Sequence, residues 1–173
     1  MTKFSSTNQF TEAPIKNLNQ SLARISELLN KKLPKLAKSF DTFVSDLQNH
    51  NSNSVKYKWV ASDFLEEIND EHFYDDPLPT QCRKSLSGII EVSQAVVRKQ
   101  LSPELVLFEY DQEVLNYLAP LQLSFVFVHE WLWDISSSVE KNRKINFFLH
   151  SAQFSQMSPE NATEYLKKLS VPL

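Results

Sequence analysis

A single glycine, Gly88, stands in a chain of 173 residues. Glycine supplies the positive φ angles of tight turns and lets backbone approach a ligand closely. With one glycine, no glycine-rich phosphate cradle or dinucleotide fingerprint can be built. Asn-Gly and Asp-Gly hairpin turns are also missing. Sheets joined by tight hairpins are therefore disfavoured, and long helical periods fill the sequence instead. The expectation is an all-α fold: a single-domain bundle of about seven or eight helices around a central apolar helix at about 120–138. There is enough chain for one domain with a sizeable core.

The helices are read from period and punctuation. Thr11 caps a first helix with Pro14 in its first turn, and Ile15, Leu18, Leu22, Ile25 and Leu28 form its apolar stripe. Pro34 restarts the chain, and Leu36, Phe40, Phe43, Val44 and Leu47 make a second stripe. A third helix is expected with Val55, Trp59, Val60, Phe64 and Ile68 inward, and a fourth from Thr80 to Val96. The tripeptide Ser-Pro-Glu occurs twice, at Ser102-Pro103-Glu104 and Ser158-Pro159-Glu160, and both copies read as helix starts. The run Leu105–Tyr110 reads as a short helix or a short strand. From Leu121 to Ile135 the residues are apolar on nearly every side, the mark of a buried helix. Residues 1–10 read as a flexible tail and 11–173 as the helical domain. A subdomain break is allowed at 72–80, where Pro77 and Pro79 exclude a helix interior.

Net charge is −3, which argues against a dedicated nucleic-acid binder. The lone Cys82 excludes an internal disulfide and suits a reducing compartment. The N-terminal MTKFSSTNQF has no apolar run of the secretory kind. No stretch is long and apolar enough to span a bilayer, so the chain is expected to be intracellular and soluble, with no membrane partner.

Charge is segregated along the chain. Lys31, Lys35 and Lys38 follow spacings of four and three, with Arg24 seven residues upstream. Such a strip can hold phosphates through counterion release, which makes these four residues the nucleic-acid-binding candidates. Residues 63–76 carry seven acids. Asp63, Glu66, Glu67, Asp70 and Glu71 form the expected acidic face for a basic partner. No calcium-loop spacing is present, and His129-Glu130 lacks the second histidine of a zinc-protease helix, since position 133 is Trp. No metal and no cofactor are expected.

The segment KNRKINFFLH places Arg143 and His150 two helical turns apart. An arginine fork can hold a phosphate, and a histidine can move the proton of a 2′-hydroxyl. With six residues between them, this pair resembles the Arg-to-His motif of the HEPN superfamily of helical ribonucleases. That resemblance implies metal-independent RNA cleavage in a site assembled across a homodimer. The bland alternative is a helix with Phe147 and Phe148 inward and Arg143 and His150 in solvent. No other catalytic constellation is complete. The leading expectation is a non-catalytic helical subunit or adaptor of a multi-protein or nucleoprotein complex; the ribonuclease is the alternative.

Overall fold

The computed structural model describes residues 17–49, 56–62, 65 and 95–173. These residues form seven helices and three strands, so the fold is mixed α/β and the all-α expectation is corrected. The chain divides into two compact units. One is the chain up to Tyr57 together with Leu118–Leu173; the other is Lys58–Tyr117.

The first unit is helical. Helix α1 runs Leu18–Lys32 and is capped by Asn17, whose Oδ1 accepts the Gln20 N–H at 2.8 Å. Asn17 lies in extended backbone, so this helix starts later than expected; Thr11 lies outside the described residues. Leu22, Ile25 and Leu29 are buried. Helix α2 runs Pro34–Gln48, with Leu33 closing α1 and opening α2. Pro34 suits that first position because its missing N–H has no helical partner to lose. Ala37, Phe40 and Phe43 are fully buried, and α1 packs on α2.

The second unit carries the strands. β1 (Tyr57–Ala61), which starts at the last residue of the helical unit, β2 (Val96–Ser102) and β3 (Leu105–Tyr110) form one sheet in the order β1-β3-β2. β1 lies where a third helix was expected. Its burial alternates, with Tyr57 and Trp59 in and Lys58 and Val60 out, which is period two and not 3.6. Trp59 stacks on Phe108 at 4.3 Å between ring centres. β2 begins at Val96, where the fourth helix was expected to end; Thr80 to Gln94 lie outside the described residues. β2 and β3 pair antiparallel, with a register shift between Gln100 and Ser102. Their connection is Ser102-Pro103-Glu104-Leu105, so this SPE tripeptide is a hairpin turn and not a helix start. Proline's fixed φ serves both settings. Helix α3 (Gln112–Tyr117) follows, with Asp111 Oδ1 accepting the Val114 N–H at 3.0 Å.

Back in the helical unit, α4 runs Pro120–Leu132. It is the apolar helix expected, and Phe127, Val128, Trp131 and Leu132 are buried. Trp131 meets Phe40 edge-on at 4.8 Å, and its indole N–H donates to Ser39 Oγ at 3.1 Å. The helix stops at 132 and not near 138. Turn bonds from Asp134 and Ile135 close it, and Ser138 caps the next helix through the Lys141 N–H. That next helix, α5, runs Val139–His150; α6 is Ala152–Gln156 and α7 is Pro159–Lys168. α1 also packs on α4 and α7, and α5 on α4 and α6.

The shortage of glycine shows at the end of α7. Ser170 takes φ 62°, the left-handed position that glycine usually fills. Its N–H bonds Lys167 O at 2.9 Å, and the Val171 N–H bonds Leu166 O at 3.1 Å. These are the paired bonds of a Schellman ending, with Val171 and Leu166 both buried. The 72–80 break and the 1–10 tail lie outside the described residues. Among the described residues no helix is long and apolar enough to cross a membrane.

Candidate functional site around His150

Helix α5 buries Asn142, Ile145, Asn146, Leu149 and His150, spaced i, i+3, i+4, i+7 and i+8, together with Phe148. That spacing is one helix face. The buried stripe is therefore half polar, with Asn142, Asn146 and His150 four residues apart. Phe147 is only half-buried, whereas Phe148 is inside.

His150 is 1% exposed. Its Nδ1 lies 2.9 Å from the carbonyl of Asn146, and its Nε2 lies 2.7 Å from Ser124 Oγ on α4. A carbonyl only accepts, so Nδ1 carries the proton and Nε2 accepts from the Ser124 hydroxyl. Ser21 on α1 in turn donates to Ser124 Oγ at 2.7 Å. The Phe125 ring stacks on the imidazole at 3.8 Å. One neutral histidine thus joins α1, α4 and α5 through a directed chain of hydrogen bonds. Burial pushes its pKa down to about 4; the bond to Asn146 pulls the other way, and the charge of Arg24 adds a smaller downward push.

The two asparagines complete the α4–α5 seam. Asn146 Nδ2 donates to Phe125 O at 2.8 Å, and Asn142 Nδ2 to Ser136 O at 3.2 Å. The side-chain oxygens of both are buried without a hydrogen-bond partner. A seam with such groups gains less from closing than an apolar one does.

Arg143 points to solvent on the same helix that buries His150. The two do not share a polar cleft. The expectation of both in solvent is corrected for His150, which lies on the face that Ile145 and Leu149 turn inward. The stripe was visible in the sequence once Ile145 and Leu149 were taken as inward.

The basic strip is divided by the Leu33-Pro34 junction. Lys31 lies in the last turn of α1, and Lys35 and Lys38 lie on α2; all three are exposed. Arg24 is half-buried on α1, near enough to His150 to oppose its charging. A groove of about 550 Å³ beside Lys38 is lined by Asn30, Pro34, Asp41, Thr42, Ser45 and Asp46. Asp41 accepts from Ser26 and Asn30, and Asp46 accepts the N–H groups of Lys56 and Tyr57. Asp63, Glu66, Glu67, Asp70 and Glu71, as well as Cys82, lie outside the described residues.

Two charged contacts escaped sequence reasoning. Lys32, the last residue of α1, is 7% exposed. Its ammonium donates to the carbonyls of Phe154, Ser155 and Met157 at 2.6, 2.9 and 2.5 Å. These close the end of α6, where unpaired carbonyls gather negative charge. Burial, and then the charge of Lys31, lowers its pKa. At the other contact, Asp134 receives the Tyr57 hydroxyl and the Lys56 ammonium, the latter at 2.7 Å. Burial and the bond to Asp134 raise the Tyr57 pKa.

Among the described residues no group of His, Cys, Asp or Glu is placed to hold a metal ion. His129 sits edge-on to Trp133 at 5.7 Å. No family model, curated protein or solved structure matches this chain.

Proposed function

We propose that this chain is a non-catalytic subunit or adaptor that works through protein–protein contacts. The observation that carries this reading is the state of His150. Both ring nitrogens are engaged, and the ring is closed from solvent. Arg143 stands on the exposed side of the same helix. A ribonuclease needs the two side chains together at a phosphate.

The surface offered to a partner is the elbow between α1 and α2. Lys31, Lys35 and Lys38 make no ion pair with the described residues, whereas Lys144 pairs with Glu140 and Lys168 with Glu164. Lys35 also stands in the first turn of α2, which holds no acid to offset the positive end of the helix. An acidic segment of a protein partner suits these three cations. Nucleic acid is the second class of partner for the same strip, and the chain's net negative charge makes it the less favoured one. The single cysteine suits a subunit that works in a reducing, intracellular setting.

The test is charge reversal. The parent and the K31E/K35E/K38E variant are purified gently from the native cells. The reading expects a defined protein partner at near-equal amounts with the parent and its loss from the variant. A parent that comes out alone, and whose RNA cleavage disappears in His150→Ala, would sink it.

A further inference from the structure

On the reading of the α1–α2 elbow as a partner surface, we propose that the partner is a protein segment of ordered charge. Its acidic residues lie on Lys31, Lys35 and Lys38, and a basic residue beyond them reaches Asp46. The groove joins the two ends of this surface, because Lys38, Asp41 and Asp46 all line it.

The order of charge on α2 does not serve the helix. A helix favours acids at its N-terminal end and bases at its C-terminal end. α2 runs the other way. Lys35 stands in its first turn, which holds no acid, and Asp46 stands in its last turn, which holds no base. α7 keeps the favoured order, with Glu160 in its first turn and Lys167 and Lys168 in its last.

The elbow charges are also left without counter-charges. No ion pair joins Lys31, Lys35, Lys38, Asp41 or Asp46 to a described residue. Asp41 accepts from the Ser26 hydroxyl and the Asn30 amide. Asp46 accepts from the backbone N–H groups of Lys56 and Tyr57 at 2.9 and 3.1 Å. Every one of these donors is neutral. They fix the two carboxylates in place and leave their negative charge to meet a partner.

The distance between the charges sets the partner's spacing. Lys35 and Asp46 are separated by about 16 Å along the axis of α2. An extended chain covers that span in about five residues. A wholly acidic segment of this length would bring its far carboxylate against Asp46, a like charge. A basic residue there turns repulsion into attraction and fixes the direction in which the segment lies.

Two blocked synthetic peptides, titrated into the full chain at low salt and followed by amide chemical shifts, test this. One has three Glu, two Ser and a closing Lys; the other has Glu in place of that Lys. Asp46→Asn keeps an oxygen for the Lys56 and Tyr57 N–H groups and removes the charge. It is expected to weaken the Lys peptide about threefold and to strengthen the all-acidic one about twofold. A change of the same sign for both peptides would overturn the ordered partner and leave the elbow reading standing. If neither peptide binds the parent, or if K31E/K35E/K38E binds them as well as the parent does, the elbow reading and this inference fall together. Should Asp46→Asn not fold, the parent decides. A spin label beside the closing Lys is expected to broaden the amides of Ser45 and Asp46 more than that of Lys31, and the reverse pattern overturns the proposal.

Discussion

Ser124 donates its hydroxyl proton to Nε2 of His150 across 2.7 Å, inside a helical unit where both residues are closed from water. In a hydrolase such a pair faces a substrate. Here Ser21 occupies the far side of the serine and a backbone carbonyl the far side of the ring. The pair holds helices together, and its chemistry appears as stability.

That stability depends on pH. The folded His150 pKa is about 4, below the 6.5 of an unfolded histidine. Between these values the unfolded chain binds the proton and the folded chain does not, so stability falls as pH drops from 6.5 to 4. It levels off below that. The full loss is about 3 kcal/mol. Urea unfolding at pH 7 and pH 4.5 should show a larger loss for the parent than for His150→Gln. Equal losses would mean the ring is hydrated in the native state.

Lys32→Met keeps the length of the side chain and removes the ammonium. Three carbonyls at the end of α6 then lose their donor. The expected cost is about 3 kcal/mol, whereas Lys31→Met at the exposed neighbour stays within about 0.5 kcal/mol. Matching midpoints for the two variants in urea would show that Lys32 is solvated.

Ser170→Gly removes the clash of a β-carbon in the left-handed region. A gain of about 1 kcal/mol is expected, seen as a higher unfolding midpoint with an unchanged slope. A loss would place Ser170 outside that region in solution.

The twin tripeptides separate cleanly. Ser158 caps α7 through the Asn161 N–H at 3.3 Å, so Ser158→Ala should cost about 1 kcal/mol. Ser102 only steadies a two-residue turn through the Glu104 N–H, and Ser102→Ala should cost less than about 0.5 kcal/mol. Thermal unfolding of both variants checks the order.

Some of this fold was legible in the chain. Proline at the start of α2 and α7, the Ser158 cap, the apolar α4 and the first two helical stripes come from local rules. So does the absence of a glycine cradle, since no other residue can take its place. Of the sheet only β3 was legible, since a short strand was one of the two readings of Leu105–Tyr110. Ser102-Pro103-Glu104 and Ser158-Pro159-Glu160 carry the same local signal, because one φ angle suits a helix start and a hairpin turn alike. The residues after each tripeptide make the difference. Leu105–Tyr110 alternates Val106 and Phe108 inward against β2, whereas the residues after Pro159 put Ala162 and Leu166 on one helical face. Strand pairing rewards a partner distant in sequence, which no local window contains.

The chemistry divides in the same way. Arg143 and His150 are two turns apart in any helix, and the sequence settles that much. Whether they share a site depends on which face meets α4. Packing turned Ile145 and Leu149 inward, and the helical period carried His150 in with them while leaving Arg143 outside. Lys32 and Lys31 are adjacent and alike, yet one found three carbonyls and the other found water. Burial is a property of the assembled helices, and it decided what each of these residues does.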